Sequence, residues 1–348
     1  MSFADIAGRE PVWLDGSGPY GQIVVSTRVR LARNLRGRHF THHAGEAELA
    51  AIRQEAGGRV LDRPAFTAGG EVVLADCRAH ERKFLLESHL ASPDLVRDFR
   101  HRGLLFSADL RRVVMVNEED HLRVQVFRPG FDPVATCGDA LALDGELEEV
   151  LDFAWSDEFG YLTACPTNVG TAFRISVLIH LPALVLTNEI EKILNSLRQL
   201  QFTVRGLFGE GSAVRGALFQ ISNMGTLGRS EETITNDFTR HVSKVIQYEK
   251  LARDGLFERD PDGVRDMAHR AFGTVRGAWL MTSTEAFDRL SHVRLGVCLG
   301  VLPPLPMGQL NRALVEMQPA HMQVNAGAAI KGRERAAARA AYLRKLFA

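Results

Sequence analysis

Val113-Val114-Met115-Val116-Asn117-Glu118-Glu119-Asp120-His121-Leu122-Arg123-Val124-Gln125-Val126 joins two short β-type segments through a run of acids. Residues 113–116 are uninterruptedly apolar, whereas Leu122, Val124 and Val126 alternate with Arg123 and Gln125 in the two-residue period of a half-buried strand. The acidic cluster therefore falls at a bend or sheet edge. Arg123 has the parity of Glu119, so an unbroken strand turns both side chains to one side, and a bend at the cluster undoes that inference. Three acids between two strands are ordinarily a solvated turn. A role beyond that has to come from the rest of the chain.

From Ile23 to Phe127 short alternating segments mix with helical patterns, without the strand-helix alternation of a doubly wound parallel sheet. The expectation is an α+β domain built on an antiparallel sheet flanked by helices. Leu147 to Trp155 reads as an amphipathic helix, and the apolar stretch Ile175 to Leu186 as a buried one. Asn188-Glu189-Ile190-Glu191 reads as a capping signal for a helix through Leu200. Thr203 to Phe208 and Ala217 to Ser222 look like paired strands around Gly209-Glu210-Gly211-Ser212-Ala213-Val214-Arg215-Gly216, a loop with enough glycine to move. Helical patterns follow at Ser230–Arg253, Asp262–Phe272, Thr282–Leu290, Gln309–Met317 and Arg333–Phe347. The expected division is a larger N-terminal domain, 1–255, which the resemblance described below makes the catalytic one, and a smaller all-helical C-terminal domain, 256–348.

The 348 residues carry 42 basic and 42 acidic side chains, so no global charge argues for nucleic acid or an anionic membrane. Six lysines leave 36 arginines, a bias that coding composition explains for the chain as a whole. Cys77, Cys137, Cys165 and Cys298 form no Cys-x-x-Cys pair, and a reducing cytoplasm fits them best. No apolar run approaches the roughly 20 residues that span a bilayer.

Five arginines stand in settings that suit a polyphosphate. Arg28 and Arg30 lie two apart on the alternating segment Val24-Val25-Ser26-Thr27-Arg28-Val29-Arg30-Leu31, so both point to one face as a pair of guanidinium forks. Arg123 follows the acidic turn, Arg174 opens the apolar segment after Gly170-Thr171, where a helix N-terminus would add its own anion preference, and Arg205 leads into the glycine loop. There is no Gly-x-x-x-x-Gly-Lys-Ser/Thr loop and no kinase-type Gly-x-Gly-x-x-Gly, so arginines replace those devices. Cys165, in Ala164-Cys165-Pro166-Thr167-Asn168-Val169-Gly170-Thr171, is either a thiol activated by its surroundings or a small buried hydrophobe. No histidine pairs with it as a base, and no side-chain metal site is evident.

In four motifs taken together the chain resembles the guanido phosphotransferases, and within them the bacterial protein arginine kinases. The motifs are Ser26-Thr27-Arg28-Val29-Arg30-Leu31-Ala32-Arg33-Asn34, Asn117-Glu118-Glu119-Asp120-His121, Cys165 to Thr171, and Arg205-Gly206-Leu207-Phe208-Gly209-Glu210-Gly211. The resemblance implies ATP, with Mg2+, bound in a cleft by Ser26, Arg28, Arg30, Arg123, Arg174 and Arg205, with His89 at the adenine. It implies that Glu119 and Glu210 hold the acceptor guanidinium beside Cys165, Glu119 acting as base, and that Arg123 serves ATP and not the carboxylates. Only 25 residues precede Ser26, where small-guanidine kinases carry a helical lid, so the acceptor would be arginine on another protein. The resemblance further implies a homodimer, protein substrates with accessible arginine (a heat-shock repressor among them), and work beside an activator protein and a Clp ATPase in cytoplasmic protein quality control. The family's phosphoarginine-sensing motif aligns with Arg335-Ala336-Ala337-Ala338-Arg339-Ala340, which keeps Arg335 and Arg339 but has alanine in place of the acid. The competing readings are a phosphagen kinase for free arginine, a catalytically idle adaptor, and a DNA-binding regulator using the C-terminal helix.

Overall fold

In the computed structural model, which describes residues 3–206 and 214–348, eight strands form one antiparallel sheet. In chain order the strands are β1 (Val24–Arg33), β2 (Gly70–Val73), β3 (Gly103–Phe106), β4 (Arg112–Val116), β5 (Leu122–Pro129), β6 (Trp155–Ser156), β7 (Gly160–Tyr161), β8 (Phe173–His180), β9 (Phe202–Arg205) and β10 (Leu218–Asn223). The large sheet runs β2-β3-β4-β5-β1-β8-β10-β9, and β6 and β7 make a separate two-stranded ribbon. The acidic cluster is the β4–β5 connection, so the bend inferred from sequence is a hairpin turn. Asn117 takes a left-handed backbone (φ 59°) there, and its N–H closes the turn on the His121 carbonyl at 2.8 Å.

Cross-strand register explains why the central strands alternate. Arg30 faces Gln125 on β5 and Arg174 on β8, while Arg28 faces Phe127 and Ser176. Directly opposed residues share a face. Val29, Leu31, Val124, Val126, Ile175, Val177 and Ile221 therefore point the other way, all at 1 % exposure or less. They form one core with the helices Glu46–Leu61, Pro133–Glu148 and Glu231–Arg259, through Ile52, Leu143, Leu147, Phe238, Val242 and Ile246. The charged face is covered only at its margins, where Met115, Phe127 and Leu178 join a second core that includes Trp13, Leu85, Phe287 and Leu343.

Ile175 to Leu186 is not a helix. Its first half belongs to the central strand β8, and only Pro182–Leu186 is helical. A strand buried on both faces is apolar throughout and cannot be distinguished from a buried helix by periodicity. Arg174 consequently projects from a strand, with no helix N-terminus behind it. The helix expected over Leu147–Trp155 is displaced as well. The helical segment is Pro133–Glu148, and residues 149–155 pass along the end of β1, where Phe153 bridges Leu35 and the Arg36 N–H donates to the Asp152 carbonyl at 2.8 Å.

Thr203–Phe208 and Ala217–Ser222 correspond to β9 and β10, which pair through Gln220 and Arg205, although Phe208 lies outside the described residues. The helix expected from Asn188 is Ile190–Gln199, but no side chain caps it. The helix Glu231–Arg259 runs unbroken past residue 256. Beyond it lie Pro261–Gly277, Ser283–Cys298, Met307–Glu316, Pro319–Ala326 and Gly332–Leu346. The unforeseen helix is Pro319–Ala326. Its N-terminal N–H groups are capped from afar by buried Glu87, which accepts from Ala320 and His321 at 3.0 and 3.1 Å.

One buried ion pair anchors β1 to the helix beneath it. Arg33, wholly buried, donates to both oxygens of Asp144 at 2.9 and 2.5 Å, and its guanidinium lies 3.4 Å from the centre of the Tyr161 ring. Removing one partner leaves a buried charge uncompensated. Asp144→Ala should therefore cost about 3–5 kcal/mol of stability in denaturant unfolding. A loss below about 1 kcal/mol would show that the pair is not the anchor it resembles.

Candidate active site

Ser26, Arg28, Arg30, Arg123, Arg174 and Arg205 share one sheet face. Ser26, Arg28 and Arg30 follow at two-residue steps on β1; Arg174 is opposite Arg30, Arg123 opposite Ala32, and Arg205 opposite Gln220, which itself opposes Leu178. Two cavities of 380 and 370 Å3 lie over the arginines. The first is lined by Arg28, Arg30, His89, Arg123 and Arg205, the second by Arg30, Arg123, Arg174 and Arg205 with Glu119 and Cys165. Sequence spacing gave the five arginines but not their supports. Arg174 donates to the Ser222 hydroxyl at 3.2 and 3.3 Å, and Arg28 to the Ser176 hydroxyl at 3.4 Å. These serines carry no local sign in the sequence, since both lie on strands buried nearly throughout.

So many like charges in a partly enclosed cleft destabilise one another. Burial, followed by repulsion from Arg174 and Arg123, pulls Arg28 down to about 9. Arg30 is pulled well below its ordinary range by burial, then by Arg28, Arg123 and Arg174, with Glu118 opposing. A polyphosphate relieves exactly this kind of repulsion by pairing with several forks at once. At the Ser26 end His89 (φ 59°) follows the helix Ala79–Glu87 and packs edge-on against Trp13, ring centres 5.4 Å apart. Burial, with Arg28 adding, pushes its imidazole down to about 3, so it is neutral and suited to a base edge rather than a phosphate.

The opposite end is the acidic turn, whose three acids have different tasks. Asp120 is fully buried, and one oxygen accepts from Asn34 Nδ2 and from the Ala164 N–H, both at 2.7 Å, tying the Cys165 segment to the turn. Glu118 is buried and accepts from Ser92 Oγ at 2.5 Å and Arg123 at 2.7 Å. Glu119 is the accessible one, its side chain 41 % exposed, with Arg123 at 3.1 Å and Asn168 Nδ2 at 3.4 Å. Arg123 thus holds both carboxylates as well as lining the cleft, which corrects the expectation that it serves phosphate alone. The hairpin turn returns Glu119 over β5 within reach of the guanidinium. Burial raises the Glu119 pKa; Arg123 opposes, and Asp120, Glu118 and Asp94 add to the rise.

Cys165 is partly exposed, its Sγ 3.0 Å from Thr167 Oγ1, just before the short 3-10 turn Pro166–Asn168. Glu210 and the start of the glycine loop lie outside the described residues. Arg335 and Arg339 are on the last helix; Arg339 is buried and donates to the carbonyls of Met317 at 2.7 Å and Met281 at 2.8 Å. Among the described residues, no group of three or more His, Cys, Asp or Glu is placed to bind a metal. No described helix is long and apolar enough to cross a membrane.

An arginine-lined polyphosphate cleft ending in a carboxylate of raised basicity defines a phosphotransferase whose acceptor is cationic. The comparisons make that class specific: residues 64–252 match the ATP:guanido phosphotransferase C-terminal catalytic domain and 261–348 the protein-arginine kinase McsB C-terminal domain, and the chain belongs to the ATP:guanido phosphotransferase family. It is 41 % identical over 348 residues to a protein-arginine kinase of Symbiobacterium thermophilum, covering 99 % of both chains. The protein-arginine kinase of Bacillus subtilis is 37 % identical over 335 residues, covering 96 % of this chain and 92 % of that one. Among solved structures, the duplicated taurocyamine kinase of Schistosoma mansoni, with bound transition-state analogue components, aligns at TM-score 0.60 and 29 % identity, over 69 % of this chain but only 36 % of that one. Lombricine kinase aligns at 0.59 and 25 %, over 71 % and 73 %.

Arg30→Met should separate binding from stability. Removing a guanidinium that its neighbours repel raises the melting temperature, while ATP affinity falls on the order of tenfold or more. A variant that loses stability and keeps its ATP affinity would contradict the electrostatic account.

Proposed function

We propose that this chain transfers the γ-phosphoryl group of ATP, carried with Mg2+, to the guanidinium of arginine residues in proteins. The observation that supports it best is the position of Glu119, at the end of an arginine-lined cleft and open to a second cavity on its far side. The relatives named protein-arginine kinase, similar over nearly the full length, support the protein acceptor.

Guanidinium stays protonated well above neutral pH and is a weak nucleophile until a carboxylate orients it and removes a proton. Glu119 accepts that proton. The freed nitrogen forms an N–P bond as the bond from γ-phosphorus to the bridging oxygen breaks, leaving ADP and a phosphoramidate. Arg28, Arg30, Arg174 and Arg205 hold the phosphates in line and neutralise the equatorial oxygens, the main work in phosphoryl transfer. Glu210 supplies the second carboxylate to the acceptor, and the Cys165 thiolate adds charge beside it without attacking phosphorus. His89 and Ser26 receive the base end of the nucleotide. The helical segment 256–348 is the regulatory and dimerising part, with Arg335 as its candidate phosphoarginine contact, whereas Arg339 is buried and committed to the Met317 and Met281 carbonyls.

Because Glu119 must be ionised to act and its pKa is raised from 4.5, kcat/KM should fall on the acid side with a midpoint above that value. Glu119→Gln should remove this limb and cost at least about a hundredfold in kcat. An unchanged acid limb would assign it to another group. Incubation with MgATP and either an unfolded protein or free arginine, analysed by mass spectrometry that preserves acid-labile phosphate, tests the acceptor. Phosphate on protein arginine is expected; phosphate on free arginine alone would establish a phosphagen kinase instead.

A further inference from the structure

Glu119 lines two spaces at once. On one side is the cavity with Cys165 and the arginines; on the other a cavity of 520 Å3, within the roughly 300–1,000 Å3 of ligand pockets, lined by Glu118, Glu119 and Ala164 on its inner side and by residues 41–49 and 98–102 outside. The division repeats in the neighbouring segment, Cys165 lining one space and Ala164 the other. The outer wall is fixed to the turn. Asn117 Nδ2 donates to the carbonyls of Leu49 at 2.7 Å and His101 at 2.8 Å, so the segments that shape the cavity move with the acidic turn.

The order along β1 gives this space a direction. Ser26 and Arg28 stand with His89 at one end of the cleft, Arg30 in the middle, and Arg123 with Glu119 at the other. In-line transfer puts the nucleophile on the side of γ-phosphorus away from the leaving ADP. With the base end of ATP near His89, that side is the Glu119 end, and the chain carrying the nucleophile comes from beyond it.

The cavity is also charged. Glu46, Asp98, Glu118 and Glu119 line it with Arg100 and Arg102, and Arg123 behind the inner wall pairs with Glu118 and Glu119, which leaves an excess of one negative charge, carried at the rim. Arg102 is held by Asp98 at 3.1 Å and by the Asp94 carbonyl at 2.8 Å, its side chain only 11 % exposed. Arg100 approaches Glu46 only at 4.0 Å, both about three-quarters exposed. His101 Nε2 lies 3.8 Å from the other Glu46 oxygen, so neither neighbour is within hydrogen-bonding distance and the exposed carboxylate stands at the rim where an incoming cation can reach it.

We propose that this cavity receives the polypeptide segment flanking the acceptor arginine, and that the surplus negative charge at its rim favours arginines with lysine or arginine neighbours. This rests on the arginine-kinase reading above and adds where the protein substrate lies and which sequences it takes. Glu46 and Asp98 are specificity residues at the rim, distinct from the proton-accepting Glu119.

The test uses the full chain with MgATP and two unstructured peptides, each with one acceptor arginine, flanked by lysines in one and by glutamates in the other. The lysine-flanked peptide should show a KM about three- to tenfold lower at similar kcat, the scale of one or two exposed charge contacts. Glu46→Lys should cancel or reverse the preference without altering the KM for ATP, and Asp98→Asn should weaken it. Circular dichroism melting confirms that each variant is folded. Equal KM values for the two peptides in the wild type, a preference for glutamate neighbours, or a preference untouched by both substitutions would overturn the assignment. Phosphate on neither peptide, and on no unfolded protein, would overturn the arginine-kinase reading and this inference with it.

Discussion

Five guanidinium groups on one face of an antiparallel sheet are the constraint around which the molecule is arranged. Like charges this close repel, and burial removes much of the water that would screen them. They stay together because the other face of the same strands is locked into the core by Val29, Leu31, Val124, Ile175 and Val177. The two-residue period of a strand makes these opposite demands compatible. Repulsion on the charged face is a binding potential for polyphosphate, and the core holds the backbone that stores it.

The acidic turn exploits the same framework. Glu118 and Glu119 compensate Arg123 at the end of the cleft, while Asp120, through Asn34 and Ala164, brings the Cys165 segment alongside. His121 completes the joint as a neutral tautomer: its Nδ1 accepts the Leu35 N–H at 3.0 Å, and its Nε2 donates to the His39 carbonyl at 2.8 Å. Burial lowers its pKa, which keeps this arrangement uncharged. A single turn therefore carries one accessible carboxylate on two buried ones, and the buried pair sets where the accessible one stands.

The site was legible in the sequence where it followed strand parity. Arg28 and Arg30 on β1, and the acids between β4 and β5, could be placed from alternation alone. What escaped was set by contacts distant in the chain. Arg174 looked like the start of a helix because β8 is buried on both faces, and the helix Pro319–Ala326 went unseen because its cap, Glu87, belongs to another part of the chain. The resemblance assigned Arg123 to ATP alone, and parity, which says which side a residue faces, does not say that the turn folds Glu118 and Glu119 back over it. Ser176 and Ser222 carried no local signal, since their meaning comes only from the arginines opposite.

The account's central claim is that ATP runs along β1 from His89 to Glu119 and that the acceptor guanidinium meets it there. A crystal structure with MgADP, nitrate as a planar mimic of the transferred phosphoryl group, and an arginine-containing peptide tests this most directly. The account predicts ADP phosphates and nitrate within hydrogen-bonding reach of Arg28, Arg30, Arg123, Arg174 and Arg205, and a guanidinium nitrogen about 2.6–3.2 Å from a Glu119 carboxylate oxygen. A guanidinium seated away from Glu119, or phosphates bound off the arginine face, would contradict it.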